Sequence, residues 1–105
     1  MTGKKKRPRT LRREHERAVD KLEDARERLA RLEPGGEATR PIEVSSASVV
    51  ESRALGLGCA RCGGALELEA HDAVRGELGP LRRVRARCRA CRARREVWLR
   101  VAVSN

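Results

Sequence analysis

Cys59-Ala60-Arg61-Cys62-Gly63-Gly64 and Cys88-Arg89-Ala90-Cys91 are the two stretches on which the reading of this chain turns. Each contains a Cys-x-x-Cys pair, and 25 residues separate Cys62 from Cys88. A two-residue gap lets both thiolates of a pair point from one tight turn at a single ion. Two such turns brought together give a tetrahedral four-sulfur set, which Zn2+ accepts at about 2.3 Å per bond. The spacing therefore predicts one structural Zn2+ held by Cys59, Cys62, Cys88 and Cys91. Such a site is closed, so no position is left for an activated water.

The run Cys59-x-x-Cys62-Gly63-Gly64 resembles the first knuckle of zinc-ribbon proteins. The likeness spans residues 55–103, and small bacterial proteins carrying one ribbon are similar in layout. The resemblance implies a β-rich module in which glycines permit left-handed turns that aim amide N–H groups at the thiolates. It is specific for metal binding and not for one function, because ribbons serve nucleic acids, protein partners and larger enzymes alike. The second pair departs from the pattern, with Arg92 and Ala93 where the family often has Gly. A left-handed Arg costs about 1 kcal/mol, so this knuckle is expected to be looser or differently shaped. Rubredoxin-type iron fits less well, since proteins of that kind look acidic and aromatic-rich. A thioredoxin-like redox pair needs a βαβ unit that is absent here.

Outward from the cysteines the pattern has period two. Leu66 and Leu68 alternate with Glu67 and Glu69, residues 76–80 supply a turn, and Val97, Leu99, Val101 and Val103 alternate with Glu96, Trp98, Arg100 and Ala102. Three antiparallel strands are expected. The middle one, residues 81–88, puts Val84, Ala86 and Cys88 on one face and Arg83, Arg85, Arg87 and Arg89 on the other. Residues 81–100 hold nine Arg against one acid, with Arg94 and Arg95 beyond the second knuckle. With Trp98 on the same face, these side chains make a candidate surface for phosphates and a stacked base of DNA or RNA. The competing reading is a solvated face whose arginines guard a sheet edge. His71 reads as a surface turn residue, since four thiolates already saturate the ion.

Toward the N-terminus, residues 10–33 contain no Gly or Pro and are stopped by Pro34, Gly35 and Gly36, with Thr10 as the expected N-cap. Leu11, His15, Ala18, Leu22, Ala25, Leu29 and Leu32 fall on successive a/d positions of about three heptads. This narrow seam suits self-association or a protein partner through residues 11–32, or docking on the chain's own sheet; a solvated helix is the alternative. Residues 1–9 read as a disordered basic tail, 34–54 as a linker or extended arm with 34–41 flexible, and 55–105 as the ribbon domain. Ile42 and Val44 alternate as a strand would, whereas residues 45–57 fit a short helix or an arm equally. The expected class is thus small α+β: an amphipathic, coiled-coil-like helix followed by a three-stranded antiparallel zinc ribbon.

Composition narrows the function. The 105 residues include no Phe or Tyr and one Trp, so any core is small and needs a staple such as a metal. The start is basic without an apolar h-region, and no apolar run approaches a membrane span, which points to a cytoplasmic protein in a reducing compartment. The net charge of +10 favours anionic partners, although the Arg and Ala excess also fits a GC-rich genome. Seven of the basic residues lie in residues 1–13, which carry no acid. No nucleophile paired with a base is legible, so the expectation is a non-enzymatic protein that binds nucleic acid, or else an adaptor working through its helix.

Overall fold

The computed structural model describes residues 7–102. Residues 1–6 of the expected basic tail, and Val103 of the last expected strand, lie outside them. Helix α1 spans Pro8–Leu32. It begins two residues before the expected Thr10 cap because Pro8 sits in the first turn, where its missing N–H has no helical acceptor to lose. It ends at Glu33, whose ψ of 161° is the extended conformation that the following Pro34 imposes.

The loop after α1 is tied down. The Gly35 N–H donates to the Arg40 carbonyl at 2.6 Å, and the Gly35 carbonyl accepts from the Trp98 N–H at 2.8 Å. Gly35 has φ of 89°, and a Cβ there would lie 2.7 Å from Ile42 Cδ1, so only glycine fits. Arg40 caps the helix end, donating to the Leu32 carbonyl at 2.9 Å.

The sheet has four strands, β1 (Ile42–Val44), β2 (Leu66–Gly76), β3 (Gly79–Cys88) and β4 (Arg94–Val101), in the order β1-β4-β3-β2. The three expected antiparallel strands are therefore corrected to a mixed sheet, because β1 lies parallel to β4 with Ile42 opposite Leu99. The physical reason is burial: Ile42 and Val44 turn inward beside Val50 and Ala54 of the short helix α2 (Val50–Leu55). With Val84, Val97 and Leu99 they form the larger core cluster. A second, smaller cluster joins Leu66 and Ala86 to Cys59 and Cys88. The apolar core thus runs directly into the cysteine site.

In β2 the register shifts between Leu68 and Ala70. This bulge at Glu69 reverses the parity of every later residue in the strand. His71 consequently pairs with Val84 on the inner side, where its Nδ1 lies 2.8 Å from Glu51 Oε2, and is not the surface turn residue expected. Asp72 pairs with Arg83 on the outer side.

No residue of α1 is buried. The molecule extends 74 Å in its longest direction with a radius of gyration of 18.5 Å, against about 13 Å for a compact chain of this length. The helix therefore projects from the sheet and does not cover it. Among the described residues no helix is long and apolar enough to cross a membrane.

Leu99, fully buried at the centre of β4, anchors the larger cluster. Leu99→Ala is expected to cost about 2–5 kcal/mol, a large part of the stability of so small a core, measurable as a lowered urea midpoint at unchanged slope.

Candidate metal centre and its surroundings

The four cysteines converge where the turn before β2 meets the turn after β3. Their Sγ atoms all lie within 4.8 Å of one another. The closest pairs, Cys59 with Cys91 and Cys62 with Cys88, are each 3.5 Å apart. Four sulfurs around one ion at about 2.3 Å are separated by about 3.8 Å, so the cluster has the dimensions of a tetrahedral thiolate site. No disulfide joins the cysteines, of which Cys59 and Cys88 are buried and Cys62 and Cys91 exposed.

Backbone hydrogen bonds shape both knuckles in the same way. The Gly63 N–H donates to the Cys59 carbonyl and the Arg92 N–H to the Cys88 carbonyl, each at 3.0 Å. The Cys59 N–H reaches the Gly64 carbonyl at 2.9 Å, and the Cys88 N–H reaches the Ala93 carbonyl at 2.8 Å. Amides also point at sulfur: Arg61 N–H to Cys59 Sγ at 3.4 Å, Gly64 N–H to Cys62 Sγ at 3.4 Å and Ala90 N–H to Cys88 Sγ at 3.3 Å. The Cys91 N–H, and after it the Ala90 N–H, outweigh burial and bring the Cys88 thiol down to about 6, which favours the ligating thiolate.

The second knuckle is not the looser one. Arg92 adopts φ of 65°, the left-handed turn that Gly63 makes at 78°, so the strain is accepted and the hydrogen-bond pattern kept. The two glycines of the first knuckle do different work. Gly63 supplies the left-handed turn with nothing near its absent Cβ, whereas a Cβ on Gly64 would come within 2.9 Å of Cys88 Sγ and 3.2 Å of Cys62 Sγ.

Arg61, an unassigned x of Cys-x-x-Cys, makes contacts that spacing could not single out. Its Nη1 reaches Asp24 Oδ1 at 2.7 Å and Glu27 Oε1 at 3.0 Å, and its Nε reaches Glu23 Oε2 at 3.2 Å. Hydrogen bonds to Asp24 and then Glu27 push its pKa above the ordinary arginine value, so it is a permanent cation. Arg26 returns a bond to the Arg61 carbonyl at 3.3 Å. The first knuckle thereby grips the acidic face of α1.

The arginines expected as a nucleic-acid surface are brought together in part. Arg83, Arg85, Arg87, Arg89 and Arg94 share the outer face, where the bulge in β2 has also placed acids. Asp72 takes Arg83 and Arg85 at 3.4 and 3.0 Å, Glu69 takes Arg87 and Arg94 at 3.5 and 3.4 Å, and Glu67 takes Arg89 at 3.3 Å. Desolvation pushes the Asp72 carboxyl up, but hydrogen bonds from Arg83 and then Arg85 outweigh it and hold the pKa below its usual value. The two Asp72 pairs therefore persist at neutral pH and weaken on acidification. Trp98 lies on this face with the Arg83 guanidinium 5.8 Å from its ring centroid, a cation–π contact within the protein. Arg95 is turned to the inner side. Its Nη1 donates to the Gly58 carbonyl at 2.7 Å, and burial lowers its pKa.

Fold and site define a small α+β protein with a mixed four-stranded sheet and a four-cysteine cluster able to hold a metal ion. No family model, no curated protein and no solved structure matches the chain.

Gly64→Ala is expected to weaken metal affinity about 10- to 100-fold by crowding two sulfurs, read by competition with a chromophoric chelator. Arg92→Gly is expected to leave affinity intact and to raise the stability of the metal-loaded protein by about 1 kcal/mol in thermal unfolding, since glycine accepts the left-handed turn without strain.

Proposed function

We propose that this chain is a non-enzymatic, zinc-stabilised interaction module that associates through α1 with a second copy of itself. The ion is Zn2+, one per chain and structural: four thiolates close its coordination sphere, and the aromatic-poor core needs the free energy that such an ion brings to folding. The module remains close to the zinc-ribbon pattern in its two knuckles and hairpin, with β1 and α2 added.

One observation carries the interaction reading. Leu11, Leu22, Leu29 and Leu32 are 52 to 60% exposed along one side of α1, while Arg61 holds the helix by a different side, Glu23, Asp24 and Glu27. At 100° per residue the leucine row and the gripped acids centre on nearly opposite sides of the helix, so docking on the sheet leaves most of the seam open, although Leu29 also borders the cleft toward Cys59. A lone exposed seam on a helix of this length is marginal in water without a partner. The seven a/d positions repeat without interruption, which makes the seam complementary to its own copy.

Charge chooses the orientation. Residues 7–19 carry five Arg against two Glu, whereas residues 20–33 carry five acids against four bases. A parallel pair would stack the basic halves on each other; an antiparallel pair sets each beside the mildly acidic half of its partner.

A second reading, nucleic-acid binding, is favoured by a different feature from the strand face. Arg9, Arg12 and Arg13 are exposed on the first turns of α1 and have no ion pair among the described residues, in a stretch without acids. The strand arginines, by contrast, are already matched by Asp72, Glu69 and Glu67. Phosphate contact would therefore fall to the helix tip.

Sedimentation equilibrium of the zinc-loaded chain should show a mass rising with concentration from one chain toward two. Leu22→Asp with Leu29→Asp should hold it at one, and a monomer at every concentration in the unaltered protein rejects the self-association. In fluorescence anisotropy with labelled duplexes, reversing Arg9, Arg12 and Arg13 to Glu should flatten the log–log salt dependence by about three units. Reversing Arg83 and Arg85 should change it little, and the opposite ranking would return the contact to the strand face.

A further inference from the structure

We propose that α1 is a metal-gated arm: the filled four-cysteine site fixes Arg61 in the position from which it clasps Glu23, Asp24 and Glu27, and loss of the metal releases the helix from the sheet. This rests on the metal-site reading above and adds a regulation to the interaction surface.

Three observations carry it. Arg61 lies between two ligands, and its own N–H donates to Cys59 Sγ at 3.4 Å, so its backbone conformation belongs to the knuckle. Its guanidinium meets three carboxylates from one side of α1, and only 21% of its side chain is exposed. Among the described residues, the other bond from an α1 side chain to the sheet module is that of Arg26, and it too ends on Arg61.

Packing gives little competing attachment. No residue of α1 is buried, and clefts of about 360 and 250 Å³ separate the helix from the sheet. The larger lies between Ala30 and Arg31 on one side and Glu96 and Trp98 on the other; the smaller lies between Leu29 and Cys59. The helix is therefore joined to the sheet by the capped loop at its C-terminal end and at Arg61, through its guanidinium and through the Arg26 bond to its carbonyl. A knuckle without its ion loses all four metal–sulfur bonds, and only the Gly63–Cys59 and Cys59–Gly64 backbone hydrogen bonds remain to hold the Arg61 backbone at the geometry that reaches all three acids.

The clasp also orients the seam. While Arg61 is engaged, the row from Leu11 to Leu32 is presented at a fixed angle to the sheet; once released, the helix samples many angles about residues 33–41. Metal occupancy would thus change how the arm meets its partner with no change in the arm itself.

The test uses ¹⁵N relaxation on the full chain carrying Leu22→Asp and Leu29→Asp, so that association plays no part, with zinc content measured on every sample. In the zinc-loaded protein, α1 amides from 20 onward should share the tumbling of the sheet, with order parameters of about 0.85 in that frame. Arg61→Gln should retain one zinc per chain and drop them below about 0.6, and so should chelation of the metal from the unaltered clasp. Arg61→Glu combined with Glu23→Arg and Glu27→Arg should restore the coupling, which a merely structural role for Arg61 would not allow. Coupling that survives either Arg61→Gln with zinc bound or complete chelation overturns the proposal. A chain that takes up no zinc at all overturns the metal reading itself, a result separable from failure of the clasp.

Discussion

Four sulfur atoms drawn into one small volume are the constraint on which the rest of this protein depends. The turn before β2 and the turn after β3 are far apart in sequence, and the hairpin between them brings their ends together with Leu66 opposite Cys88. The sulfurs close that end of the hairpin, and the Arg89 N–H bonds the Ala65 carbonyl across it at 2.9 Å. With a single tryptophan and no other large aromatic, the buried interior consists of aliphatic side chains and two of the cysteines themselves. Such an interior contributes little hydrophobic free energy by itself, so an ion taken up by these cysteines, binding only the folded arrangement, would be a principal source of stability.

Everything outside the hairpin is attached to this centre at a few points. The parallel strand β1 adds an edge to the sheet beside β4, and helix α2 packs with it on the inner side and extends the core away from the sulfurs. Helix α1 is joined through Gly35, whose two backbone bonds link Arg40 and Trp98, and through Arg61 within the first knuckle. A long element held at one end by a turn and a polar clasp has weak mechanical coupling to the body. Its exposed leucines are consistent with an element built to meet something else.

Electrostatics on the outer face show why charge in a sequence is not charge on a surface. The run of arginines in β3 and β4 reads as a strongly cationic comb when taken alone. In space, however, Arg83, Arg85, Arg87, Arg89 and Arg94 meet what β2 offers, and β2 offers Glu67, Glu69 and Asp72. The bulge at Glu69 is what puts all three acids on the arginine side, since strict alternation would have turned Asp72 inward. Solvent-exposed pairs of this kind contribute little stability, but they cancel the field that would attract a polyanion.

Reading along the chain was enough to anticipate the convergence of the four cysteines, a long helix stopped before Pro34, though starting at Pro8 and not after Thr10, and the inward face of β3 at Val84, Ala86 and Cys88. Each rests on local chemistry: ligand spacing within a turn, the backbone restrictions of proline, and the two-residue period of a strand. Three outcomes came from packing in three dimensions: Ile42–Val44 joins the sheet, Arg95 turns inward to Gly58, and Arg61 grips α1. Those outcomes depend on which segments meet across 34 or more residues of chain, as Arg61 meets Glu27. A bulge of one residue or the approach of one helix changes the partners without leaving a mark in local composition, because hydrogen bonds and ion pairs are set by distance in space and not by order along the chain.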